Sequence, residues 1–144
     1  MQKALQLAKE AALRGEIPIG AVVVNPEGLI IGDGYNQVEK LGFQGEHAEI
    51  RALRSAAQKI ENWRLAGCAL YVTLEPCTMC MGLAGLSRIE RVIYGADSPL
   101  FGYRLDNQQG VALYTSHIKG ITSGILADES AELLRDFFTK KRMG

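Results

Sequence analysis

Net charge is the first thing missing. Sixteen Lys and Arg stand against sixteen Asp and Glu across 144 residues, and both halves of the chain are balanced. That excludes a basic tail or domain of the kind that grips nucleic acid wholesale, so any phosphate contact has to come from a local patch. Long apolar runs are missing as well. The opening stretch MQKALQLAKEAALRGE scatters charge throughout. The sequence therefore predicts neither a signal peptide nor a membrane span, and points to the cytoplasm. Cysteine is scarce and odd in number, three in all, which argues against a disulfide framework in a reducing compartment. Four prolines, no low-complexity stretch and no internal repeat leave no linker to find. One domain over residues 1–144 is the simplest division, long enough to bury a real core.

What is present alternates strand and helix. Residues 2–14 read as a short helix with Leu5, Ala8 and Ala12 on one face and Gly15 placed to end it. IPIGAVVVN and LIIGDGY read as strands joined by the turn NPEG. A second helix over 46–59 carries Ile50, Leu53 and Ala57 on its apolar side. CALYVTL has no polar alternation and suggests a strand buried on both faces, with Cys68 packing as a small hydrophobe. PCTMCMGLAGL follows as a helix with Pro76 in its first turn, where a missing N–H does no harm. RVIYG is a further strand, 96–112 is irregular, and a last strand falls near 117–122. The closing helix over 128–142 begins with Asp128 and Glu129 and ends with Lys140, Lys141 and Arg142, as its dipole favours. Together these elements predict a three-layer α/β/α domain around one mixed five-stranded sheet.

Cys77 and Cys80 carry the chemistry. A Cys-x-x-Cys pair at a helix start suits a redox couple or half of a metal site equally well. The redox reading needs nothing else, whereas a metal needs more ligands. His47 supplies one, in GEHAEIRAL, and Glu49 stands two residues on. Either alone is weak, since a lone histidine is usually structural and a first-turn glutamate usually serves the dipole. His-x-Glu followed by Pro-Cys-x-x-Cys is the signature of zinc deaminases, each half opening a helix after a strand. The redox reading leaves His47 and Glu49 unexplained. Residues two apart on a helix point about 200° from each other. His47 is therefore expected at the helix entry, with Glu49 curling back to the metal. Three ligands and an open fourth position describe a catalytic zinc, one per chain, whose water has a pKa lowered toward about 7. Glu49 is the proton carrier rather than a ligand, and the reaction is hydrolytic loss of an amine from a nucleobase.

The sequence resembles the zinc-dependent cytidine deaminase-like superfamily, and within it the bacterial tRNA-specific adenosine deaminases. The resemblance rests on IPIGAVVV, GYN, HAEI-AL, LYVTLEPCTMC-G, SRI-RV-YGA and GILADE-AELL-DFF-KKR. It implies a cytidine deaminase-like fold and a homodimer that converts the wobble adenosine of a tRNA anticodon stem-loop to inosine. A deaminase of free cytosine, guanine or deoxycytidylate is the alternative. It also implies that Asn36 holds the target nucleoside, with Pro18, Ile19 and Pro76 walling the pocket. The helix after PCTMC, with Met79, Met81 and Leu83, offers a dimer face unless those side chains fill the core. One segment departs from the family: DSPLFGYRLDNQQG stands where a lysine and a Gly-Ser loop are usual. Phe101, Tyr103 and Arg104 in it either stack on and clamp splayed bases or pack on the protein's own core.

Overall fold

The computed structural model describes residues 1–105 and 115–144. Helix α1 spans Gln2–Leu13 and stops at Gly15, whose φ of 77° is one glycine adopts freely. Strands β1 (Gly20–Val24) and β2 (Ile30–Tyr35) form the expected hairpin. After a four-residue helix α2 (Val38–Leu41) come α3 (Ala48–Ile60), β3 (Ala69–Leu74), α4 (Thr78–Leu86) and β4 (Arg91–Ala96). A single 3-10 turn (Tyr103–Leu105), a short β5 (Gly120–Thr122) and the long α5 (Ala127–Met143) complete the described chain. The part of the expected irregular run over 106–112 lies outside the described residues.

Among the described residues five strands form one mixed sheet in the order β2-β1-β3-β4-β5. β1 is antiparallel to both neighbours, whereas β3, β4 and β5 are parallel. α1 and α5 pack on one face and α3 and α4 on the other, giving the predicted α/β/α layering. The ends of β3 and β4 sit between these layers, the usual place for a ligand site in an open sheet. The core draws Val, Leu, Ile and Ala from β1, β3 and β4, and Tyr94 is its largest fully buried side chain.

Two expected helix faces are rotated. α3 buries Ala48, Ala52, Leu53 and Ala56 rather than Ile50 and Ala57. The cause lies in β2: a methyl on Gly32 would stand 2.5 Å from Ala52 O and Ala56 N, so helix and strand meet through glycine and alanine at close range. α1 likewise buries Ala4, Leu5, Ala8 and Ala11, leaving Ala12 half-covered. On α4, Met81 is 1% exposed and belongs to the core, and Leu83 packs against it half-buried. Of the expected dimer face only Met79 remains exposed, now accompanied by Leu86.

Helix α2 went unforeseen because its cap comes from far away. The buried Glu16 carboxylate accepts hydrogen bonds from the backbone N–H of Glu39 (3.0 Å) and of Lys40 (2.8 Å). These are donors that a helix N-terminus otherwise leaves unsatisfied. They fix the loop that runs from Asn36 to His47.

Candidate metal centre

Two helix entrances converge at one end of the sheet. His47 is the N-cap residue of α3 and Cys77 that of α4, both with extended backbone (ψ 151° and 170°). Pro76 therefore lies just before the helix rather than in its first turn, and only Cys80 of the two thiols falls inside that turn. His47 Nδ1 lies 3.4 Å from Cys80 Sγ and 3.7 Å from Cys77 Sγ, and the three donor atoms all lie within 4.8 Å of one another. A tetrahedral zinc with ordinary Zn–N and Zn–S bonds needs neighbouring donors roughly 3.5–3.8 Å apart. The residues fit the ion in chemistry and in spacing. Cys68 is buried apart from them.

The electrostatics suit a cation. Hydrogen bonding to Cys80 pulls the Cys77 thiol down to about 4 against the opposing effect of burial, with His47 assisting. The same bond and burial push Cys80 up. Hydrogen bonding to Cys77 raises His47. A bound metal would take the place of the proton shared in this cluster, and the positive ends of α3 and α4 would favour the resulting thiolates.

Glu49 sits in the first turn of α3, only 4% exposed. Burial pushes its carboxyl up to about 7, opposed by its own backbone N–H and by His47, and it hydrogen-bonds to Cys80. The helix geometry is the one anticipated: the histidine at the entry and the longer glutamate reaching back to the ligands.

Three of the other predicted residues, Pro18, Ile19 and Asn36, gather where the segment before β1 meets the loop after β2. Asn36 N donates to Ile19 O (3.0 Å), its side-chain amide donates to Ile17 O (3.4 Å), and its carbonyl accepts from Val38 N (3.2 Å). Pro18 is buried and Ile19 half-buried. The Gln37 N–H to Glu46 O bond (3.0 Å) ties this group to the residue before His47. Beyond its internal bonds the Asn36 amide keeps a second N–H and a second lone pair. Pro76 is buried, and its carbonyl accepts from Tyr103 N (2.9 Å).

Two further residues, Gln44 and Glu75, stand beside these groups without belonging to the predicted set. Gln44 Oε1 lies 3.2 Å from His47 Nε2. With Nε2 protonated, the ring donates there and turns the Nδ1 lone pair toward the thiols, as partners of metal-binding histidines do. Its three-residue spacing from His47 was the available signal. Glu75, 3% exposed, accepts from Ser98 N (3.0 Å) and Arg104 N (3.1 Å). The Arg104 guanidinium adds two bonds, Nε at 3.2 Å and Nη2 at 3.1 Å. Burial raises this carboxyl, but the Arg104 and backbone hydrogen bonds outweigh it and hold Glu75 below the usual carboxylate range.

An open α/β/α sheet with a His-Cys-Cys cluster and a buried glutamate at paired helix N-termini defines a mononuclear hydrolytic zinc protein. Residues 1–96 match the cytidine and deoxycytidylate deaminase zinc-binding region, and the chain belongs to that family. It is 43% identical over 145 residues to the tRNA-specific adenosine deaminase of Haemophilus influenzae, covering 99% of this chain and 83% of that one. It is also 43% identical over 142 residues to a tRNA(Ile)-lysidine synthase of Deinococcus deserti, of whose length the chain spans only 27%. A solved structure from a study of A-to-I editing by tRNA:A34 deaminases at the wobble position superposes with a TM-score of 0.85 at 40% identity, covering 93% of this chain and 97% of that one.

Proposed function

We propose that the chain is a zinc-dependent hydrolase that deaminates the wobble adenosine of a tRNA anticodon loop to inosine. The observation that carries the chemistry is the convergence of His47, Cys77 and Cys80 with the buried Glu49 at two helix entrances. What favours the substrate is identity of about two residues in five, over nearly the whole chain, with tRNA-specific adenosine deaminases. When bound, one zinc per chain supplies a Lewis acid and an acidified water.

Glu49 does the proton work. Its carboxylate oxygen takes the proton of the attacking water and delivers it to the ring nitrogen beside the amine-bearing carbon. A second proton moves through the same oxygen to the amine, so that the C–N bond breaks and ammonia leaves. Asn36, with its remaining amide N–H and lone pair, orients the nucleoside, while Pro18, Ile19 and Pro76 shape the walls. An anticodon loop presents unstacked bases at little expense, so a chain without net charge suffices to bind it. The exposed basic end of α5, Lys140 to Arg142, is available to loop phosphates.

Among the described residues no helix is long and apolar enough to cross a membrane, and the cytoplasm, where tRNA is at hand, is the proposed place of action. Mass spectrometry after incubation with bulk tRNA and, separately, with free nucleosides and bases tests the substrate. Inosine in tRNA is expected; efficient conversion of cytosine, guanine or deoxycytidylate with tRNA untouched would favour the small-molecule reading. The chain acts as a homodimer, with Met79 and Leu86 on α4 among its contacts. Sedimentation at micromolar concentration is expected to give twice the chain mass, and a clean monomer would count against this.

A further inference from the structure

The turn that follows β4 is built onto the metal-ligand segment. Glu75 N donates to Ala96 O (2.8 Å), Tyr103 N to Pro76 O (2.9 Å), and Gly102 N to Ser98 O (3.2 Å). The Glu75 carboxylate lies inside the turn and gathers four hydrogen bonds from Ser98 and Arg104. Gly102 has to be glycine there, because a methyl on it would land on that carboxylate. Arg104 also reaches Asp97 at 3.0 Å. A planar guanidinium held in this bidentate way by a buried carboxylate is a rigid fixture.

This arrangement sorts the three side chains that stood as candidates for gripping splayed bases. Arg104 is committed to Glu75. Tyr103 is half-buried against the core, edge-on to Tyr94 with centroids 6.4 Å apart. Phe101 is 76% exposed and has no ring partner among the described residues, though its backbone N–H is pinned to Ser98 Oγ at 3.3 Å. Phe101 thus carries an exposed aromatic ring on a backbone fixed two residues before Tyr103, whose N–H is bonded to Pro76 O beside Cys77.

We propose that the Glu75–Arg104 clamp makes the 98–105 turn a fixed part of the substrate rim, and that Phe101 stacks there on a nucleobase flanking the target adenosine. The proposal rests on the RNA-loop reading of the substrate. In it Phe101 is a specificity-determining contact, and Arg104 is a positioning residue that acts through Glu75 and the turn. Free nucleosides have no flanking base, so the contact favours an adenosine embedded in a strand.

The test uses a short RNA hairpin with an unpaired adenosine in its loop, following inosine formation and zinc content for Phe101→Ala, Arg104→Ala, Arg104→Lys and the Phe101→Ala/Arg104→Ala double variant. Losing one base–aromatic stack is expected to raise KM about 5- to 100-fold, with saturated turnover and zinc retained. Arg104→Ala is expected to raise KM similarly, and the double variant no further than the larger single effect, because both changes remove one contact. Arg104→Lys should resemble Arg104→Ala, since an ammonium cannot reproduce the fork. An unchanged KM in Phe101→Ala, additive effects in the double variant, or loss of zinc or turnover at normal KM in Arg104→Ala would each overturn the proposal. Phe101→Ala alters only an exposed side chain and decides the matter even if Arg104→Ala fails to fold. Absence of inosine with the unaltered chain is a different result, which overturns the RNA reading itself and the stacking contact with it.

Discussion

Glu49→Gln is expected to keep a full complement of zinc and to lose turnover by about 10²- to 10⁴-fold, the usual worth of a positioned acid–base group. The substitution is nearly isosteric, so the 4%-exposed site at the start of α3 is neither emptied nor crowded. The amide still hydrogen-bonds to its neighbours but cannot take a proton from water or return one to the base. Since His47 Nδ1 and both sulfurs already converge within 4.8 Å without it, metal retention does not depend on the carboxylate. Metal analysis together with single-turnover kinetics checks both halves. Zinc loss in this variant, or turnover near normal, would contradict the role assigned to Glu49.

Cys80→Ala is expected to show the opposite pattern: metal lost, and activity lost because of it. Removing the sulfur leaves one nitrogen and one sulfur to hold the ion. Changes even to residues that merely support ligands commonly lower metal affinity about 10- to 100-fold, so loss of a ligand should exceed that. Cys80 is fully buried, so the alanine also leaves a small void beside Met81 and Glu49, and a lower Tm is expected. Cys77→Ala, at the half-buried helix entrance, should lose metal with a smaller change in Tm. Chelator competition against the unaltered protein measures the first effect and thermal melting the second. Zinc bound with near-normal affinity in either variant would remove that cysteine from the ligand set.

The difference between these two variants reflects what the sequence disclosed. The convergence of His47, Glu49, Cys77 and Cys80 was legible because zinc deaminase chemistry demands those residue types at those spacings, and helix geometry required the histidine to precede the first turn. The strands and long helices were legible from apolar runs and terminal charges. Three things were not, each because it depends on residues distant in the chain. The buried side of α3 is set by glycines on β2, and these matter only once the two elements pack. Helix α2 is capped by Glu16, more than twenty residues upstream. Glu75 reads as part of a cysteine motif, yet its side chain serves a turn near residue 100. Whether Met81 serves a dimer face or the core stays open in the sequence because α4 is apolar nearly all round, a pattern that cannot tell a core face from an exposed one; it lies in the core.

The most direct measurement is a reaction in ¹⁸O-labelled water, with an anticodon-type RNA hairpin as substrate and the zinc-loaded protein as catalyst. Hydrolytic deamination requires one solvent oxygen to replace the amine of the loop adenosine, so inosine at that position is expected to carry the label, with one ammonia released for each inosine formed. An unaltered hairpin alongside efficient conversion of free guanine or cytosine, or inosine without solvent oxygen, would contradict it.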